Sequence, residues 1–310
     1  MHIVVIGAGN MGCVYGANLA RIGEDVTLVD VWAEHIERIR TAGLQMTGLH
    51  GDFTVRVTAV TDAAAAAKAD MAIICTNAYD TRNAAHAARA VLKDSGYALT
   101  LQNGVGNIEV LTEVLGTDRV LAGLSFHSGD LQAPGVVRHT NQGPTYLGEL
   151  DCARTPRLLH LSALLEQAGL EPVLEENIVT TIWSKFLHNC GINALCAITG
   201  LRPGHIRQVP ALDEFQTQII RETLALLDAK GIRLPDPNAI ETIKAYCAKK
   251  FHRVSMLQHL DRGRPTEIDA LNGYVARESR RLGLAAPASD ALTRLIHGRQ
   301  YRPACSESHE

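Results

Sequence analysis

One junction near the start constrains the fold of this chain more than any other feature. The apolar run His2-Ile3-Val4-Val5-Ile6 passes directly into Gly7-Ala8-Gly9-Asn10-Met11-Gly12, and a helical pattern then continues to Gly23. In a strand that feeds a glycine turn and a helix, the glycines have separate jobs. They make a tight turn, let backbone approach a pyrophosphate, and pack helix against strand, with the positive end of the helix dipole facing the anion. A glycine turn with no ligand is the bland alternative. Against it, a second strand candidate ends in Asp30, about 20 residues onward, where an acid accepts hydrogen bonds from ribose hydroxyls. Gly7, Gly9, Asn10, Met11, Gly12 and Asp30 are therefore expected to hold a dinucleotide. A carboxylate at position 30 repels a 2′-phosphate, and no Arg or Lys follows before Arg38, which favours NAD(H) over NADP(H). Capping of the next helix is the other role open to Asp30.

The pattern set by that junction repeats. His2 to Ile6, Asp25 to Asp30, Met71 to Cys75, Tyr97 to Leu101 and Arg119 to Leu124 read as strands, with helical segments such as Asn83 to Leu92 between them. Strands alternating with helices imply parallel pairing through crossovers. Gly135 to Arg138 and Thr145 to Gly148 read as later strands, expected to be antiparallel and to extend the sheet at one edge. The helix from Leu158 to Ala168 is assigned to the same domain. After about Glu175 strand-like runs stop. Helical patterns cover Ile178 to Ile198, Leu212 to Lys230, Asn238 to Phe251, Thr266 to Leu282 and Ser289 to Arg299, punctuated by Gly231, Gly283 and Pro235-Asp236-Pro237. The expected architecture is α/β: an N-terminal Rossmann-type doubly wound sheet in residues 1–175, an all-helical second domain in 176–302 that binds substrate, and a disordered tail in 303–310. A chain of 310 residues with 46% hydrophobic content can bury cores for two domains.

Leu101-Gln102-Asn103-Gly104-Val105-Gly106-Asn107 follows a strand and precedes a helix, so it lies at the carboxyl edge of the sheet, where ligands bind in open α/β sheets. Asn103 there can reach a nicotinamide or substrate, or can serve only as turn chemistry.

In the second domain Lys185, Asn189 and Asn193 stand at i, i+4 and i+8 on one helical stripe. Such a stripe is usually the wet face. Here, however, Lys185 is the only Asp, Glu, Lys or Arg between Glu176 and Arg202, and Trp183, Phe186, Leu187, Ile192, Leu195 and Ile198 surround it. A helix apolar nearly all round is a buried helix. Burying an ammonium and two amides without partners costs several kcal/mol, so they face each other, a counter-charge or a ligand. Desolvation would also lower the lysine pKa and make it a better proton donor near neutral pH. A purely structural polar network is the alternative. The counter-charge candidate is Glu267, expected in the first turn of a helix behind Pro265, a place where an acid also simply complements the helix dipole.

Taken together, the glycine turn, Leu101 to Glu109 (LQNGVGNIE), Lys185 to Gly200 (KFLHNCGINALCAITG) and Ser255 to Gly273 (SMLQHLDRGRPTEIDALNG) resemble the ketopantoate reductase family over nearly the whole chain. The last two motifs are the specific ones. The resemblance implies a 2-dehydropantoate 2-reductase activity, in which hydride passes from a nicotinamide cofactor to the ketone carbon of ketopantoate to give pantoate, on the way to pantothenate and coenzyme A. It makes Lys185 the general acid and gives Glu267 the substrate hydroxyl and the support of Lys185. It gives Ser255 the substrate carboxylate, sets Asn189 and Asn193 to orient the ketoacid, and puts Asn103 beside the nicotinamide and Lys185. A cleft that shuts on substrate is expected from the two-domain plan.

Two positions depart from the family. Its members commonly carry a basic residue where this chain has Asp30, and often a lysine where it has Asn77, near the cofactor phosphates. NADP(H) follows from the resemblance; NAD(H) follows from Asp30. The same departures leave room for a paralogue reducing another branched 2-oxo acid. Other readings are a 2- or 3-hydroxyacid dehydrogenase of the same plan, a regulator that binds NAD(H) without chemistry, and a methyltransferase, which would not need the helical domain.

A net charge of -3 provides no field for nucleic acid or anionic lipid, and no basic aromatic patch appears. Seven cysteines without a metal-ligand CxxC pair suit reduced thiols, no metal and a cytoplasmic location. A small-molecule 2-oxo acid is the expected partner, with no membrane, and a homodimer is left open.

Overall fold

The computed structural model describes residues 1–49 and 51–301, so the expected tail at 303–310 lies outside the described residues. The chain divides into two compact units, 1–182 and 183 onward.

In the first unit the order is β1 (His2–Ile6), α1 (Asn10–Arg21), β2 (Asp25–Val29), α2 (Ala33–Ala42), β3 (Leu44–Gly48), β4 (Phe53–Val55), β5 (Thr58–Val60), β6 (Ala69–Ile74), α3 (Thr81–Val91), β7 (Leu92–Thr100), α4 (Asn107–Leu115), β8 (Val120–Ser125), β9 (Ser128–Ala133), β10 (Val136–Asn141), β11 (Thr145–Glu149), α5 (Pro156–Gln167) and β12 (Pro172–Leu174). The main sheet has the order β12-β11-β8-β7-β6-β1-β2-β5. Its strands are parallel except that β11 runs antiparallel to β8. Alternate residues of β1 enter two different cores, Ile3 and Val5 on one face and Val4 and Ile6 on the other. Burial of both faces is why this strand reads as an unbroken apolar run.

Thr145–Glu149 is antiparallel near one end of that sheet, as its sequence suggests. Val136–Asn141 corrects the other half of the expectation. It does not extend the main sheet but forms a second one, β4-β3-β10-β9, parallel to β3 and antiparallel to β9. Met46 and Val137 carry this small sheet onto the same core as α1, which explains how it is held.

Registry places the ligand edge. Ile6 pairs with both Val29 and Ile74, and Ile74 with Thr100, so β1, β2, β6 and β7 end level with one another. The loops at 7–9, 30–32, 75–77 and 101–103 leave from that common edge.

Helix α6 (Ile178–Thr199) runs across the division between the units, and the second unit continues with α7 (Pro203–Ile206), α8 (Pro210–Ala229), α9 (Ala239–Ala248), α10 (Ser255–Asp261), α11 (Asn272–Arg281) and α12 (Pro287–Gln300). Every described regular element after Trp183 is helical. Gly191 lets α6 approach α8, since a Cβ there would lie 2.9 Å from the Ile220 side chain. Buried amides fasten α6 further: Gln216 Nε2 donates to the Gly191 carbonyl and Asn272 Nδ2 to that of Cys190, both at 3.1 Å. Both bonds reach backbone carbonyls of α6. Glu222 caps α12, accepting from the backbone N–H groups of Ala288 at 2.8 Å and Ser289 at 2.9 Å.

The single helix expected over Thr266 to Leu282 is broken. A 3-10 turn at Ile268–Ala270 precedes α11, separated by Leu271 at φ -116° and ψ -108°. Glu267 is therefore the residue that leads into the short turn, not a member of a helical first turn.

Candidate functional site

The glycine turn begins where β1 ends. Gly7 has φ +94°, and a Cβ on it would come within 2.7 Å of the Thr76 backbone nitrogen. A Cβ on Gly12 would lie 1.9 Å from the Gly7 carbonyl oxygen. These two glycines are demanded by the packing of the turn itself. Gly9 is different: it leads into α1 at φ -74°, and the space a Cβ would take has no protein atom within 4 Å. Nothing in the chain's own packing excludes a side chain there, and the open space beside the helix N-terminus has the character of a phosphate cradle. Asn10 spends its side-chain oxygen on the Leu131 backbone N–H at 3.0 Å, which fastens the turn to β9. Met11 is partly buried against the first core.

Asp30 follows β2, and its backbone N–H donates to the Val60 carbonyl at 3.2 Å. Its carboxylate accepts the Trp32 N–H at 3.0 Å, a local turn and not a helix cap, since α2 begins only at Ala33 behind Trp32. Asn77 is exposed beyond β6 and donates to the Tyr79 hydroxyl at 2.8 Å.

Sequence reasoning missed the residue that organises this edge. Gln102 is buried, and its Nε2 lies within hydrogen-bond range of the Thr76 carbonyl (3.1 Å), the Thr76 hydroxyl (3.0 Å) and the Thr81 hydroxyl (3.0 Å). Thr81 Oγ1 in turn sits 2.8 Å from Asn107 Oδ1, while Asn107 Nδ2 donates to the Asn103 carbonyl at 2.9 Å. One amide therefore ties the loop after β6 to the loop after β7. Its signal was its place directly after a strand, overshadowed by the neighbouring Asn-Gly pair. Asn103 itself is partly buried, between Gln102 and Gly104 at φ +84°.

The other candidates lie in the second unit. Trp183, Phe186 and Tyr274 pack edge to face, with centroids 5.2 to 6.0 Å apart. In these surroundings burial pulls the Lys185 amine down from its ordinary value near 10.5 to about 8, and the Glu267 carboxylate works in the opposite direction. The fold thus brings Lys185 and Glu267 into electrostatic contact from segments far apart in sequence. An amine of this kind holds a proton at neutral pH yet gives it up readily. On the same stripe Asn189 is half-buried and Asn193 is 9% exposed. Ser255 is exposed as the first residue of α10.

Comparison with known proteins adds what geometry alone cannot. The model of the family described as Ketopantoate reductase PanE/ApbA matches residues 3–151, and that of its C-terminal part matches residues 177–300. The chain belongs to the ketopantoate reductase family. A 2-dehydropantoate 2-reductase of Halobacterium salinarum is 32% identical over 300 residues, covering 96% of this chain and 98% of the relative. The ketopantoate reductase structure from Ralstonia eutropha JMP134 is 31% identical with TM-score 0.89, covering 97% of this chain and 98% of that one. A D-mandelate dehydrogenase in complex with NADH is 26% identical with TM-score 0.86, covering 97% and 99%. No helix among the described residues of this ketopantoate reductase family member is long and apolar enough to cross a membrane.

Proposed function

We propose that this protein reduces 2-dehydropantoate to pantoate with a nicotinamide dinucleotide, preferring NADH. The observation that carries the reading is the Lys185 amine, desolvated on an apolar helix, lowered to about 8 and faced by Glu267. It lies within one of the two motifs that distinguish the family.

A bound reduced nicotinamide supplies the hydride for the ketone carbon. Lys185 Nζ gives its proton to the ketone oxygen, so the nascent alkoxide becomes the product's hydroxyl and the amine is left neutral. Glu267 keeps the amine charged until that moment and accepts from the hydroxyl of the substrate. The amides of Asn189 and Asn193 orient the ketoacid, Ser255 meets its carboxylate, and Asn103 lies beside the nicotinamide. In this division of labour residues 1–175 bind the cofactor, through Gly7, Gly9, Asn10, Met11, Gly12, Asp30 and Asn77, and residues 176–302 bind the substrate. The bound NADH of the D-mandelate dehydrogenase relative supports the cofactor preference, as does the carboxylate of Asp30. Another branched 2-oxo acid is the less favoured substrate, because the curated relatives carry the name 2-dehydropantoate 2-reductase.

Steady-state oxidation of NADH and NADPH with ketopantoate and a panel of other 2-oxo acids tests this. Ketopantoate is expected to give the highest kcat/KM, NADH to be preferred, and Lys185→Ala to lose roughly 100-fold or more of turnover while still binding cofactor. A strong NADPH preference would overturn the cofactor reading, and undiminished turnover in Lys185→Ala the catalytic one.

A further inference from the structure

The exit from β2 carries an apolar surface that the glycine turn and the acid do not account for. Val31 is 92% exposed and Trp32 37% exposed, both immediately after Asp30. The tryptophan stands beside the sheet edge from which the nucleotide loops leave. This one is also held in place. Its backbone N–H is fixed to Asp30 Oδ1, and its carbonyl accepts from the Ile36 N–H at 3.1 Å as α2 starts. Its indole lies almost parallel to the His35 ring, with centroids 5.2 Å apart and planes 11° from each other.

The lower ring cannot drift. His35 is completely buried, and its Nδ1 accepts the Gly135 backbone N–H at 3.0 Å. An accepting Nδ1 makes the imidazole neutral with its proton on Nε2, and burial lowers its pKa in agreement with that state. The ring also hydrogen-bonds the Ala8 carbonyl, within the glycine turn, while Nε2 sits 3.5 Å from Cys13 Sγ. The exposed indole is thus mounted on an immobile ring that is tied to the phosphate cradle.

A flat aromatic plate with a rigid backing and an open side suits another flat ring. The occupant follows from Asp30. A ribose whose hydroxyls are held by that carboxylate carries its base on the same sugar, so the base must settle against the residues that flank Asp30. We propose that the Trp32 indole, seated on His35, is the stacking platform for the purine ring of the dinucleotide. The inference rests on the reading of Asp30 as the ribose acceptor. Stacking is indifferent to the 2′-position, so the platform adds affinity for either dinucleotide while Asp30 discriminates between them.

Calorimetric titration of the full chain with NADH, ADP-ribose and reduced nicotinamide mononucleotide separates the two ends of the ligand. Trp32→Ala is expected to raise Kd for NADH and for ADP-ribose roughly 10-fold, the usual scale for loss of one base–aromatic stack. Binding of the mononucleotide stays as in wild type, and Trp32→Phe recovers most of the loss. The deficit appears in KM for NADH, with kcat at saturation held within about twofold, because the indole touches no reacting atom. Wild-type binding of NADH with equal ADP-ribose affinity in Trp32→Ala would overturn the platform and leave the Asp30 reading standing. Equal weakening of all three ligands would mean general damage and overturn it too. Failure of wild type to bind NADH would overturn both.

Discussion

Exchange of Glu267 for Gln tests the proton donor without removing it. In the folded chain Lys185 prefers its neutral form by about 3 kcal/mol relative to a solvated lysine, the equivalent of a pKa falling from 10.5 to about 8. Burial causes this, and the Glu267 charge limits it. The donor must be protonated, so kcat/KM for ketopantoate is expected to be level below pH 8 and to fall tenfold per pH unit above it. Glu267→Gln keeps the shape and removes the opposing charge. The break should then move down by roughly one pH unit, and Lys185→Ala should have no break at all. A stopped-flow or steady-state profile from pH 6 to 10 reads both. A break that stays put or rises in Glu267→Gln would refute the electrostatic argument, and a level profile to pH 10 would refute the role of Lys185. The same burial has a consequence for stability. Between about pH 8 and 10.5 the unfolded chain binds more protons than the folded one, so stability rises with pH across that window and the penalty is fully present below it. Lys185→Met should therefore lack the rise in urea stability that wild type shows between about pH 8 and 10.5.

The glycines of the turn should separate in experiment. Gly12→Ala, whose Cβ would lie 1.9 Å from the Gly7 oxygen, should lose roughly 3 kcal/mol or more in urea unfolding. Gly9→Ala, with nothing within 4 Å, should unfold within about 0.5 kcal/mol of wild type yet bind NADH roughly 10-fold more weakly by titration; equal stability losses would refute the distinction. In the second unit, Glu222→Ala leaves the buried N–H groups of Ala288 and Ser289 without their acceptor and should cost about 1–3 kcal/mol in the same assay.

Much of this fold can be read from residues alone because its signals are local. The β1 run, the glycines after it and the stop at Gly23 depend on neighbours a few positions away, and the strand and helix periods follow from burial on one or two faces. The second sheet could not be read in that way. Residues Phe53–Val55 are too few to carry a period, and the partner of β10 is β3, about 90 residues earlier, joined by parallel pairing that leaves no mark in either segment. The broken helix at Leu271 is followed by Asn272-Gly273, yet that pair opens α11 instead of a turn, and the Asn272 side chain donates to the carbonyl of Cys190 on α6. Of the candidate residues, Lys185 was legible because it is the one charged side chain in an otherwise apolar helical run, where desolvation calls for a counter-charge. Gln102 was not, since burial of a glutamine is decided by loops that meet only in three dimensions.

The knot around Gln102 has a bearing on how such an enzyme can change. With the floor of the nucleotide edge locked by one amide, an incoming dinucleotide finds its seat already shaped and surrenders little entropy to shape it. Residues at the lip, Asp30 to Trp32 among them, can then be exchanged over evolutionary time to suit one phosphate pattern or another, with the foundation beneath left untouched.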